Sequence, residues 1–137
     1  MTMALPFRTV KLASGYEMPL VGLSLWKIPK ETTADNVYEA IKISYRLFNR
    51  AYNYQNKGEA GEGIQQAINK GLVNQEDIFI TTKLWNNYHY KEYTIDIVKS
   101  QNKAWGLRYF NLLFIHFPCT LKYIDPKVRK YPISYTL

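Results

Sequence analysis

At 137 residues, 47% hydrophobic and 21% charged, the chain has the composition of a globular protein and enough length for one domain with a real core. It contains no apolar run long enough to span a bilayer, and its one cysteine, Cys119, allows no intrachain disulfide, so a cytoplasmic setting without a membrane partner is expected. The net charge of +7 arises from basic residues interleaved with acidic ones rather than gathered in a stripe, which argues against nucleic acid as a partner.

From Thr9 to Met18 the chain alternates around the turn dipeptide Ser14-Gly15 and predicts an antiparallel hairpin. Leu20 to Trp26 predicts a short buried strand, and after the break at Pro29 a helix opens at Thr33 carrying Val37, Ala40, Ile41 and Ile43. Tyr45 to Phe48 predicts the next strand, and Gly58 to Asn69 a helix with Ile64, Ala67 and Ile68 inward and Gly71 at its C-terminal cap. Ile78 to Leu84 forms a third strand between Glu76-Asp77 and Asn86-Asn87, followed by a helix from Lys91 to Trp105 that stops at Gly106. Tyr109 to Phe117 is the fourth and most apolar strand of this series. After Pro118, residues 119–137 are punctuated by Pro126 and Pro132 and are expected to be a loop-like tail, with Lys122, Lys127, Arg129 and Lys130 solvated.

Strands alternating with helices predict an α/β fold with a parallel sheet. An eight-fold βα barrel takes about 250 residues. By length the chain is therefore half such a barrel or something else, such as an open α/β sheet.

Tyr54, Lys83 and His116 recur at intervals of roughly thirty residues, the length of a βα unit, each at or just past the end of a predicted strand. Parallel strands bring their C-terminal ends to one face, so a phenol, an ammonium and an imidazole are expected to converge there. Gly61 and Gly63 form a Gly-x-Gly that is weak as a phosphate loop, because it lies inside a predicted helix. No His/Cys cluster has metal-ligand spacing, and no Ser-His-Asp signature is present.

The segments Arg46 to Tyr54, Gly61 to Ile64, Thr82-Lys83-Leu84-Trp85-Asn86 and Ile115-His116-Phe117-Pro118 resemble the aldo-keto reductases, most closely the yeast-type xylose (aldose) reductases, from about Val10 to Pro132. The resemblance implies for residues 1–137 one partial domain of parallel (β/α) barrel type, about four βα units or half a TIM barrel, preceded by the β-hairpin. It also implies reduction of an aldose or other aldehyde to the alcohol by hydride transfer from NADPH or NADH. It assigns Tyr54 as the general acid, Lys83 as the cation that lowers the phenol's pKa and His116 as the imidazole that orients the carbonyl. Where the family has the Asp that holds this Lys, the chain has Asn49, within Asn49-Arg50-Ala51-Tyr52-Asn53-Tyr54. A charge pair at 4 Å is worth about 4 kcal/mol at an effective dielectric of 20, so Asn49 implies impairment.

By the same resemblance Ser24, Leu25, Trp26 and Asn49 face the cofactor, and Trp26, Trp85 and Phe117 line the substrate pocket. Gly22-Leu23-Ser24-Leu25-Trp26 adds side chains where the family has a second glycine, Arg50 fills a usually small position, Lys57 replaces an acid, and Asn111 replaces an Asp at the start of the fourth strand. The family's main cofactor contacts come from the second half of the barrel, so weak NADPH binding and little or no turnover are expected of the isolated chain. Four parallel strands also leave two open edges, through which self-association is expected. The alternative is a non-catalytic remnant that acts, if at all, through a partner.

Overall fold

The computed structural model describes residues 8–54, 56–125 and 127–128. The expected hairpin is formed by β1 (Thr9–Lys11) and β2 (Glu17–Pro19), antiparallel with Val10 opposite Met18. Gly15 has φ +88° at the turn, a backbone conformation that a side chain would strain, and its N–H donates to the Leu12 carbonyl at 2.9 Å.

Four strands then form one parallel sheet in chain order, β3 (Leu23–Ser24), β4 (Leu47–Asn49), β5 (Phe79–Leu84) and β6 (Leu112–Ile115). Between them run α1 (Lys30–Lys42), α2 (Lys57–Asn69) and α3 (Lys91–Trp105). This is the predicted α/β architecture of parallel βα units behind a hairpin. Val37 and Ile41 of α1, Ile64 of α2 and Trp105 of α3 pack with Phe48 and Ile80 of the sheet in one buried core. Phe48 lies in register with Ile80, so every second residue of β4 and β5 faces the helices. Asn49, Thr81 and Lys83 therefore face the opposite side.

Several boundaries differ from expectation. The predicted strand Leu20 to Trp26 shrinks to two residues, and Leu20 and Val21 are exposed, because β3 is an edge among the described strands, paired there only with β4. Helix α1 begins at Lys30 rather than Thr33, since the Pro29 carbonyl accepts the Thr33 hydroxyl at 2.7 Å and Thr33 turns inward. Ile43, placed by the sequence in the helix, caps its C-terminus and is 71% exposed. The predicted strand Tyr109 to Phe117 pairs only over Leu112–Ile115 and leaves Phe114, Ile115 and Phe117 exposed, because β6 is the other edge among the described strands. Asn111 shortens it from the front. Its backbone N–H donates to the Ile80 carbonyl at 2.9 Å, while its side-chain oxygen accepts the Ile80 N–H at 2.8 Å.

Gly61 and Gly63 lie inside α2, where a Cβ would stand 2.1 Å from the Trp105 carbonyl oxygen and 2.4 Å from that of Ala34 respectively. They let α3 and α1 approach α2 rather than forming a phosphate loop. Gly71, φ +70°, follows the Lys70 cap of α2, and Gly106, φ +65°, closes α3 as expected. Residues 119–125 carry no regular structure. They are tied to the turn after β5 by the Asn86 side chain, which donates to the Cys119 carbonyl at 2.8 Å. Arg129, Lys130, Pro126 and Pro132 lie outside the described residues. No helix among the described residues is long and apolar enough to cross a membrane.

Candidate active site

The C-terminal tips of β4, β5 and β6 bring the predicted polar residues to one end of the sheet. Lys83 stands at the centre. Its ammonium donates to the Tyr54 hydroxyl at 3.1 Å and to the Asn49 side-chain oxygen at 2.9 Å, and lies 5.1 Å from the Tyr54 ring centroid. Tyr54 reaches it from a 3-10 turn, Tyr52–Tyr54, that follows β4, while its ring packs against the main core. The spacing that put a phenol and an ammonium on one face thus corresponds to a direct hydrogen bond.

Asn49 keeps the geometry of an acceptor without the charge. Its oxygen also accepts the Thr81 hydroxyl at 3.1 Å, so two donors converge on a neutral atom. No sequence motif marks Thr81 as a site residue. Its position two residues before Lys83 on a strand puts both on the same face, and that period was the available signal.

The imidazole of His116 lies just beyond β6, whose last residues run beside Lys83 and Leu84. Its N–H backbone group donates to the Leu84 carbonyl at 3.1 Å. The ring stacks on Phe117 at 4.5 Å between centroids and meets Trp85 edge-on at 5.2 Å. Burial first, and the Lys83 charge second, hold His116 below the ordinary imidazole pKa. It is therefore neutral at neutral pH and able to donate from one nitrogen without carrying charge.

The aromatic residues divide. Trp26 and Phe117 are about half exposed and available to a ligand, whereas Trp85 is only 9% exposed and packs with Leu84, Tyr88 and Ile97. Of the residues expected at the cofactor, Ser24 is exposed and lies in register with Asn49. The Leu25 side chain is wholly buried in the main core, which leaves it unavailable to a cofactor. No group of three or more His, Cys, Asp or Glu residues among the described residues could hold a metal ion.

Two cations stand behind the cluster. Arg50 is fully buried, and burial pulls its guanidinium down to about 9. Lys57, the first residue of α2, lies 4.8 Å from the Tyr52 ring centroid and is brought to about 8 by burial first and Arg50 second. Between that value and the ordinary 10.5, the unfolded chain binds a proton that the folded chain does not, so stability rises with pH. Tyr88 works in the opposite direction above about pH 10, since its folded pKa is raised by burial. Urea unfolding midpoints are thus expected to climb from about pH 8 to about 9.5, with most of the climb lost in Lys57→Gln.

A family model described as the Aldo/keto reductase family matches residues 13–129. An NAD(P)H-dependent pentose reductase of Pyricularia oryzae is 52% identical over 124 residues, spanning 90% of this chain and 38% of that protein. A probable NAD(P)H-dependent D-xylose reductase of Aspergillus clavatus is 55% identical over 124 residues, again 90% of this chain and 37% of the relative. Among solved structures, an aldo-keto reductase of Bombyx mori in complex with NADP superposes with a TM-score of 0.82 at 34% identity, covering 87% of this chain and 41% of that one. The chain thus spans under two fifths of the length of these curated relatives.

Proposed function

Because the chain belongs to the aldo/keto reductase family, we propose that this end of the sheet is the proton-transfer corner of an NAD(P)H-dependent reductase acting on an aldose or similar aldehyde. The observation that carries the reading is the hydrogen bond between Lys83 and the Tyr54 hydroxyl. The ammonium donates to the phenol oxygen at 3.1 Å, which leaves the Tyr54 O–H free to donate its proton to a carbonyl oxygen placed at this end of the sheet. Neutral His116 offers a second donor to the same oxygen and, being uncharged, does not compete for that proton. Trp26 and Phe117 supply apolar surface for the substrate's carbon skeleton.

The polar, accessible tips fit the reacting end of a nicotinamide cofactor: Ser24 and Asn49 in register on adjacent strands, with the exposed indole of Trp26 beside them, are the residues that would hold it. When bound, the reduced nicotinamide supplies the hydride. Leu25 takes no part in this seat, because its side chain belongs to the core.

Activity is expected to be weak, since the acceptor that positions Lys83 is an amide rather than a carboxylate. That observation also favours a second reading, a non-catalytic member whose role is interaction, with self-association through β3 and β6, the edges among the described strands. Fluorescence titration of NADPH onto the full chain separates the two. Saturable micromolar binding supports the reductase, and no binding at millimolar cofactor overturns it.

Asn49→Asp is then expected to raise NADPH oxidation with xylose or a reactive aldehyde. A third of the roughly 4 kcal/mol for a charge pair at 4 Å corresponds to about tenfold in rate. An unchanged rate in a cofactor-binding protein would mean that the charge at this position does not limit turnover.

A further inference from the structure

The cation pair behind the proton-transfer corner has no role in that chemistry. Arg50 follows Asn49 along the chain and points the other way, toward the helices. Its Cζ lies 5.7 Å from the Trp105 ring centroid, and its Nη2 donates to the Tyr52 carbonyl at 3.4 Å. Nε and Nη1 have no acceptor among the described residues, although the side chain is 0% exposed.

The same layer holds further donors without acceptors. Asn49 pairs with Thr81, so Thr82 is the neighbour of Arg50 on the next strand, and the Thr82 hydroxyl donates to the Gln101 side-chain oxygen at 2.8 Å. Gln101 is held to Thr82 by its oxygen, which leaves its Nε2 unpartnered, and the indole Nε1 of Trp105 is unpartnered as well. Both residues are buried. Lys57 adds a second, half-buried cation, near enough for the charge of Arg50 to lower its pKa.

No carboxylate answers these charges. The ion pairs among the described residues are Lys42 with Glu39 and Arg108 with Glu76, both at the surface. Glu59 of α2 is near enough to act through space on Arg50, as are the hydroxyls of Tyr52 and Tyr54, but none of them is hydrogen-bonded to it. A buried guanidinium without a counter-charge is among the costliest arrangements a fold can hold.

We propose that Arg50 and Lys57 form a site for a small inorganic anion of halide size, with Gln101 and Trp105 as further donors. The ligand must be small, since Arg50 is sealed from solvent, and the half-buried Lys57 is the more accessible of the two cations. The site adjoins the Tyr52–Tyr54 turn, whose first carbonyl Arg50 holds, so an anion there steadies the segment carrying Tyr54. This site does not depend on the reductase reading.

Thermal unfolding of the full chain in sodium chloride or bromide, against sodium gluconate at equal ionic strength, tests it. Chloride and bromide are expected to raise the midpoint saturably. At ten times the dissociation constant the unfolding equilibrium constant should fall about elevenfold. Arg50→Met is expected to abolish that dependence, and Lys57→Gln to move half-saturation to higher concentration. An equal response to chloride and gluconate overturns the site, as does a chloride response that survives Arg50→Met. Should Arg50→Met fail to fold, the linewidth of chloride NMR with the unsubstituted chain decides: broadening reversed by bromide supports the site, and a linewidth unaffected by the protein overturns it.

Discussion

Tyr54→Phe is expected to lower aldehyde reduction by about 10²- to 10⁴-fold, the range over which a positioned general acid contributes. The measurement is NADPH oxidation in both the unsubstituted chain and one carrying Asn49→Asp, where the starting rate is expected to be higher. Phenylalanine keeps the ring that packs against the core and removes only the hydroxyl held 3.1 Å from the Lys83 ammonium. Cofactor binding and the unfolding midpoint should therefore stay close to those of the parent. A rate unchanged by the substitution would show that the proton comes from another group, with neutral His116 the next donor to test.

Gly61→Ala is expected to destabilise the fold by about 1–3 kcal/mol, and Gly61→Val by more, against a total stability of about 5–15 kcal/mol. The new Cβ would stand 2.1 Å from the Trp105 carbonyl oxygen and 2.8 Å from its carbon. Both obstacles are backbone, so α2 and α3 must move apart rather than a side chain turning aside. Alanine's better helix propensity, worth about 1 kcal/mol over glycine, offsets only part of this. Gly58 of the same helix provides the control, since nothing lies within 4 Å of a Cβ there. Gly58→Ala should be neutral or slightly stabilising in urea unfolding. Equal effects at the two positions would refute close helix approach as the reason for Gly61.

The succession of βα units was legible because its signal is local: apolar period, the Ser14-Gly15 turn, and glycines past the ends of α2 and α3. The convergence of Tyr54, Lys83 and His116 was legible because parallel strands align their ends. What could not be read depends on the partner surface. Gly61 and Gly63 are legible as helical, but the reason for glycine there is not, because Trp105 and Ala34 press against them only in the packed fold, and Ile43 is apolar yet exposed at the end of α1. Arg50 runs against the strongest local expectation of all, since an arginine is ordinarily solvated. Its place one residue after Asn49 settles which side of the sheet it faces, but only the packed Trp105 and α2 decide that this side is closed. The length of β6 escaped notice because Asn111 pairs through its side chain, which no apolar pattern records.

The sheet order β3-β4-β5-β6 repeats the chain order without a single skip. As the polypeptide leaves the ribosome, each new strand therefore finds its only required neighbour already made, and no unit has to wait for a later one to be synthesised before it can pair. Growth proceeds by accretion at one advancing margin. The surface most exposed to a chaperone at any moment is the strand that emerged last, and at the end of the sheet described here that strand is β6, with Phe114 and Ile115 uncovered.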